Sequence, residues 1–410
     1  MRAVIIGGGA AGPFAAGWLV RGGVDTVIIE HSGELGRKIL VTGKGRCNVT
    51  NDCDEPEFMK NVRTNPKFMY SSIYSFSPRK TMEFFEDLGV PLKTERGRRV
   101  FPVSDRAADI RRALIKWADR AKVIYDDAGS IETEDGKITG VKCASGRTVT
   151  ADRVLLATGG LSYRKTGSTG DGYRFARRLG HTVIEPTASL VPLVENGTKG
   201  RRMMGLSLRN VNLTVTDGKK KVFSEQGEML FTHFGISGPL VLSASSHLKG
   251  EELNRYKAVI DLKPALSEEQ LDKRVQRDFE KFHLKQAANS LELLLPAKMR
   301  EVVLEDWGID PSKPVSQITR EERLKLVHVM KNFTLSLQSR YKIDVAVITS
   351  GGVSVKEIDP STLSSKLVEG LYFAGEVIDV DAYTGGYNLQ IAFSTAYSAA
   401  RDIVKRSHEA

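Results

Sequence analysis

Val4-Ile5-Ile6-Gly7-Gly8-Gly9-Ala10-Ala11-Gly12, continuing through Pro13 into an apolar stretch that ends at Val20, decides how this chain folds. Ala3 to Ile6 is a short, β-branched apolar run of the kind buried on both faces of a parallel sheet. Gly7, Gly9 and Gly12 make G-x-G-x-x-G, and Ala11 to Val20 reads as a buried helix. A second buried strand at Thr26-Val27-Ile28-Ile29 ends in Glu30, 18 residues after Gly12. In that order the glycines serve three ends, namely a tight turn, close approach to a pyrophosphate, and close helix–strand packing. The helix N-terminus offers free N–H groups and a positive dipole end to phosphate. Glu30 stands where a carboxylate accepts from ribose hydroxyls. Pro13 suits the first helical turn, where an N–H is dispensable. This element alone leaves NAD and FAD both open.

Beyond Glu30 come Gly36-Arg37-Lys38 and then Thr42-Gly43-Lys44-Gly45-Arg46-Cys47-Asn48-Val49-Thr50-Asn51. An NAD-binding domain needs no second glycine-rich basic cluster there, whereas a longer dinucleotide with a buried isoalloxazine uses one. Further strings follow in order: Arg99-Val100-Phe101-Pro102, Ala157-Thr158-Gly159-Gly160, Gly167-Ser168-Thr169-Gly170-Asp171-Gly172, Phe231-Thr232-His233-Phe234-Gly235-Ile236-Ser237-Gly238-Pro239 and Gly385-Gly386-Tyr387-Asn388-Leu389-Gln390.

On these strings the chain resembles the bacterial YhiN/BaiN-like family of FAD-dependent, NAD(P)H-linked oxidoreductases, which includes ribosomal RNA dihydrouridine synthase relatives. The resemblance implies an α/β fold: a discontinuous Rossmann-like FAD-binding domain, interrupted by an inserted antiparallel β-barrel-like domain and a small helical domain. The expected boundaries are 1–189 and 340–410 for the FAD domain, 190–264 for the β-rich insertion and 265–339 for the helical one. Expected cofactor contacts are Gly7, Gly9, Ala11, Gly12, Glu30, Arg37, Lys38, Gly43, Gly45, Arg46, Cys47, Asn48, Thr158, Gly159, Gly160, Gly375, Glu376, Gly386, Asn388 and Leu389. Lys44 departs from the family pattern, standing where many relatives carry a small residue.

The remaining segments agree with this organisation. Ser104 is placed as N-cap of a helix whose apolar face runs through Ile110, Leu114, Trp117, Ala118 and Ala121. Lys122–Tyr125, Gly140–Lys142 and Val154–Ala157 read as strands, with Asp135-Gly136 as a turn. From about Leu190 to Leu262 short alternating segments indicate antiparallel strands. From Ser267 to about Leu337 the pattern is helical, with capping boxes at Ser267…Gln270 and Thr319…Glu322. Tyr341 to Ile348 returns to strand, Leu371 to Glu376 is a last strand, and Asn388 to about Lys405 a last helix.

Ala374-Gly375-Glu376 resembles the late flavoprotein strand that approaches the ribityl and phosphate portion of FAD. A helix opening at Thr384-Gly385-Gly386-Tyr387-Asn388 would favour negative charge at flavin N1 and O2, an effect worth about 0.3–2 kcal/mol. Asp379 and Asp381 are either solvated loop residues or ribityl contacts. No second G-x-G-x-x-G exists, so NAD(P)H would dock only transiently. Adding a hydride to a polarised C=C bond also needs a proton donor on the other carbon. Cys47, His233 and Tyr387 are the candidate catalytic residues, with Tyr383 as a further acid. Basic neighbours in its loop would lower the Cys47 pKa and favour thiolate; the other reading is a small buried residue.

Lys and Arg number 60 against 50 Asp and Glu, a net charge of +10. That excess permits a polyanionic partner such as ribosomal RNA or its precursor, or serves solubility alone. Basic runs lie at Arg96-Arg98-Arg99, Arg111-Arg112, Lys199-Arg201-Arg202 and Lys219-Lys220-Lys221, yet no RNA-binding motif is visible. Three cysteines without metal-ligand spacing argue against a disulfide framework or zinc, so no metal is expected. No apolar run reaches the length of a membrane span, and no signal peptide is evident, so the expectation is a cytoplasmic protein with no membrane partner. Three functions stay open: an FAD-dependent reductase of uracil in 23S ribosomal RNA giving dihydrouridine, an FAD-dependent reductase or oxidase of a small metabolite, and a non-enzymatic flavoprotein binding RNA or protein.

Overall fold

Five parallel strands carry the chain's nucleotide-binding half: β1 (Arg2–Ile6), β2 (Asp25–Glu30), β3 (Lys122–Tyr125), β4 (Arg153–Leu156) and β5 (Leu371–Phe373), in the spatial order β5-β4-β1-β2-β3. They belong to a computed structural model that describes residues 1–409. The chain runs outward from β1 to β3 and then returns to the other side of β1. The order therefore reverses between β1 and β4, which makes their carboxyl ends the place where an open α/β sheet binds its ligand. Ala3, Val4, Ile5, Leu155 and Leu156 are all fully buried, as strands covered on both faces require.

Helix α1 (Ala11–Arg21) leaves β1 through the glycine turn, α2 (Ala107–Trp117) packs beside it, and α3 (Tyr387–Glu409) closes the chain. The ring of Phe14 on α1 meets those of Phe76, Phe84 and Phe393 at 5.0–5.1 Å, so one aromatic cluster joins the two chain ends. Ser104 does not cap α2. The helix begins at Ala107, and the Ser104 hydroxyl instead accepts the Arg106 N–H and donates to Asp109.

The chain divides into two compact units, Met1–Ser189 with Ile343–Ala410, and Leu190–Lys342. In the second, the strands Leu193–Glu195, Ser207–Asp217, Lys220–Thr232, Gly235–Ser237, Tyr256–Asp261 and Phe333–Arg340 close a barrel. The helices Glu268–Lys281, Ala297–Trp307 and Arg320–Lys331 share its core: Leu271, Phe279, Trp307 and Met330 belong to the same buried cluster as Leu213, Phe231 and Ile260. Both capping boxes form, with each Ser or Thr hydroxyl accepting from the third helical N–H and each Gln or Glu reaching back. The segment before Tyr341 departs from the helical expectation. Phe333, Leu335 and Leu337 alternate inward as the last barrel strand, a period of two that overrides the helical pattern preceding it. Strand structure resumes only at Ile348–Val353, after a single turn at Ile343–Val345.

Candidate functional site

At the reversal point the loops after β1 and β4 touch. A Cβ on Gly7, whose φ is +110°, would lie 2.5 Å from the Ala157 carbonyl oxygen; one on Gly12 would lie 2.0 Å from the Gly7 carbonyl oxygen. Only glycine lets α1 start this close to the sheet. Above Gly9 nothing approaches within 4 Å of a Cβ position. The α1 N-cap, Ala10, makes no side-chain hydrogen bond to the first-turn N–H groups, which is the arrangement that leaves helix donors for an anionic ligand.

Glu30 is buried at the end of β2, where its carboxylate accepts from the Gly8 N–H (2.6 Å) and the Ser32 N–H (2.7 Å). Among the described residues, the buried Thr158 hydroxyl, at the end of β4, and the Asn48 side-chain oxygen have no hydrogen-bond partner. Unmet polar atoms, uncapped helix donors and a glycine-lined space are what a phosphate- and ribose-bearing ligand would complete.

A second cluster forms around Glu376, just past β5. Its carboxylate accepts from Lys38 Nζ (2.8 Å), the Thr349 N–H (2.7 Å) and the Ser162 hydroxyl (3.2 Å). Desolvation pushes this carboxyl up, but the Lys38 ammonium and the N–H and O–H donors outweigh it and hold the group below the ordinary carboxylate range. Gly160 fits beside this cluster because a Cβ there would strike the Thr349 hydroxyl. Gly159 adopts a left-handed turn, as does Gly375, where a Cβ would lie 3.4 Å from the Ala11 Cβ of α1.

The third piece is the entry to α3. Gly386 has φ +98°, and a Cβ there would lie 2.2 Å from the Thr50 carbonyl oxygen. Asn51 Nδ2 donates to Gly385 O and Gly97 O, both at 3.0 Å. The Asn388 side chain bonds back to Ala382 N–H and to Ala382 and Tyr383 carbonyls, so its amide staples its own loop. Leu389 is half-buried against the core.

Several expected contacts change role. Arg46 turns away to Glu95 and Asp105 and lies over the Phe101 ring at 4.2 Å. Arg37 donates to the Ser32 carbonyl, at 3.4 Å. Gly43, Lys44 and Gly45 form an exposed turn of left-handed residues. Cys47 corrects the thiolate expectation: it is fully buried, and burial pushes its thiol up to about 12 despite the basic loop. Tyr387 is buried with its ring 5.3 Å from Phe58, and burial pushes its hydroxyl up to about 12 as well. Tyr383 lies beneath the Arg63 guanidinium. His233 stands exposed in the second unit, its ring against Phe234. Asp379 and Asp381 are buried rather than solvated, and burial raises both carboxyls. Asn65 donates to Asp379 and Ser350 to Asp381. Sequence reasoning gave no role to Ser162, Thr349 or Asn51, because each acts through a contact far away in the chain.

A reversed parallel sheet, a glycine turn into an uncapped helix and a late strand returning beside β4 define a class, the Rossmann-type FAD-binding oxidoreductases. The chain belongs to the HI0933-like protein Rossmann domain family, which it matches over residues 1–402. It is 33% identical over 418 residues to the 3-dehydro-bile acid delta(4,6)-reductase of Clostridium scindens, covering 99% of each chain. It is 32% identical over 408 residues to the ribosomal RNA dihydrouridine synthase of Haemophilus influenzae, covering 98% of each. Among solved structures, a quinol-fumarate reductase with menaquinol molecules superposes with a TM-score of 0.51 at 15% identity, over 99% of this chain and 71% of that one; this likeness concerns the fold alone. The protein is thus an FAD-dependent oxidoreductase, and the non-enzymatic alternative falls. No helix among the described residues is long and apolar enough to cross a membrane.

Proposed function

We propose that this enzyme saturates an activated carbon–carbon double bond with electrons from NAD(P)H, and that its substrate is uracil in ribosomal RNA, giving dihydrouridine. The observation that carries the reaction class is the pair of near full-length relatives. One is named for a delta(4,6) reduction and the other for dihydrouridine formation, and both names describe saturation of a C=C bond conjugated to a carbonyl.

FAD, when bound, supplies the hydride. The α1 N-terminus and the Gly7–Gly12 turn would hold its pyrophosphate, Glu30 the ribose hydroxyls, and Glu376 with Lys38 the ribityl side. The α3 N-terminus would place its positive end beside the flavin pyrimidine. Tyr387 keeps its proton throughout the neutral range and is assigned as the donor to the substrate carbon opposite the hydride, solvent then restoring its proton. The sequence carries no second dinucleotide turn, so NAD(P)H would bind only transiently.

The RNA substrate draws support from the Haemophilus relative and from three exposed arginines near the α3 entry. Reduction of a small metabolite is the second reading, favoured by the Clostridium relative and by the neutralisation of other basic runs: Arg111 pairs with Glu34, Arg112 with Asp109, Lys199 with Asp306 and Arg202 with Glu305. Mass spectrometry of ribosomal RNA from cells with and without the gene decides between them. Loss of one dihydrouridine is expected; an unchanged dihydrouridine content sinks the RNA reading.

A further inference from the structure

Only some of the excess positive charge is free to meet a ligand. In the nucleotide-binding unit one group without ion pairs is a single hairpin turn. Leu92–Glu95 and Arg99–Pro102 pair antiparallel, Glu95 opposite Arg99, and the turn between them is Arg96-Gly97-Arg98. Arg96, Arg98 and Arg99 are all exposed, and none of the three guanidiniums forms an ion pair among the described residues.

This turn is fastened to the site rather than projecting at random. The strand Thr50–Asn51 pairs with Arg99–Pro102, and Asp52 N–H donates to the Arg98 carbonyl (2.7 Å). The buried Asn51 amide bridges Gly97 O at the turn and Gly385 O at the α3 entry. On the other side of the same short strand, Gly386 sits directly on the Thr50 carbonyl. At the hairpin base, Arg46 of the glycine-rich loop pairs with Glu95. Two loops of the candidate flavin site thus hold the hairpin, one at its tip and one at its base. The positive field of Arg98 reaches Tyr387 and Cys53, where it opposes the raising effect of burial.

We propose that the Arg96–Arg99 turn is a phosphate-binding rim that grips the backbone of a polynucleotide substrate beside the α3 entry. Guanidinium groups suit this role because their planar donor fork matches phosphate oxygens, and three of them on one rigid turn give attraction without base selectivity. The proposal rests on the RNA reading above and adds to it the surface that receives the RNA. The phosphate of NADPH is the other ligand with this chemistry.

The test uses full-length, FAD-loaded enzyme and a fluorescein-labelled single-stranded oligouridylate, with binding followed by anisotropy over a range of salt concentrations. The triple variant Arg96→Gln, Arg98→Gly, Arg99→Gln removes the charges, and glycine keeps the left-handed backbone of Arg98 (φ +57°). Each lost single-strand phosphate contact flattens the log–log salt slope by about 0.7, so the triple variant should be flatter by about 2. The all-lysine variant should keep most of the slope. An unchanged slope in the triple variant overturns the rim and leaves the RNA reading standing. Wild-type enzyme with no salt-dependent binding overturns both. A raised KM for NADPH but not NADH, with the RNA slope intact, assigns the arginines to the coenzyme and also overturns the proposal. Should the triple variant lose its flavin spectrum, Arg99→Gln alone carries the test, with an expected flattening of about 0.7.

Discussion

Lys38 Nζ donates to Glu376 Oε2 at 2.8 Å across 338 residues of sequence, locking the loop after β2 to the loop after β5. Both side chains are about four-fifths buried, and Ser162 bonds to each of them. The pair therefore joins the two ends of a discontinuous domain at the point where the ribityl chain is proposed to lie.

Breaking this pair should cost stability and change its pH dependence. Lys38→Met leaves a partly buried carboxylate without its cation, at an expected cost of about 1–3 kcal/mol in urea unfolding. A carboxyl held below its ordinary range in the folded state adds stability that is full above the unfolded value of about 4.3 and is lost as pH falls through the lower folded value. The unfolding free-energy difference between wild type and Glu376→Gln should thus be constant near neutral pH and shrink below about pH 4. A difference that holds constant into strong acid contradicts the lowered carboxyl.

The glycine turn separates a packing requirement from a ligand requirement. Gly12→Ala drives a Cβ into the Gly7 backbone, which no rotamer change relieves. It should lower the stability of the FAD-free protein by about 1–3 kcal/mol and weaken FAD binding as well. Gly9→Ala meets no protein atom, so the FAD-free protein should be as stable as wild type while FAD affinity still falls. Calorimetry without FAD, together with flavin titration, checks both. Equal destabilisation by the two variants means that Gly9 serves packing only.

Most of the nucleotide fold was legible because it is local. Strand, turn, helix and carboxylate lie within the first thirty residues, and the buried runs of β4 and β5 repeat the same apolar signature. Both capping boxes were legible for the same reason, since their partners are three residues apart. What escaped was set by tertiary contact. Phe333–Arg340 is a strand because the barrel needs a closing neighbour, although it follows a helix without a break in apolar content. Arg46 is among the cofactor contacts that the resemblance implies, but Glu95 and Asp105 hold its side chain. For Cys47 the sequence leaves an activated thiolate and a small buried residue both open, and only its packing decides for the second.

That burial has a direct chemical consequence. With its thiol pushed up to about 12, Cys47 holds only about one thiolate in ten thousand molecules at pH 8, and the thiolate is the reactive form. Iodoacetamide applied to native enzyme should leave Cys47 unmodified, whereas unfolding in urea should make it react at an ordinary rate. Peptide mass spectrometry resolves the site. Rapid native labelling of Cys47 contradicts both the burial and its assignment as a neutral thiol.

Tyr387→Phe isolates the proposed proton transfer. The substitution removes only the hydroxyl and keeps the ring against Phe58 and over Gly385, so the turn into α3 should survive. Flavin reduction by NAD(P)H needs no proton from this residue and should proceed at the wild-type rate. Reoxidation by the unsaturated substrate should slow by about 10²–10⁴, the usual contribution of a positioned general acid. Because the hydroxyl loses its proton only near 12, the wild-type rate of this second half-reaction should be flat through neutral pH. Stopped-flow absorbance of the flavin separates the two halves. A variant that is reoxidised by substrate at the wild-type rate removes Tyr387 from the proton path and leaves donation to solvent.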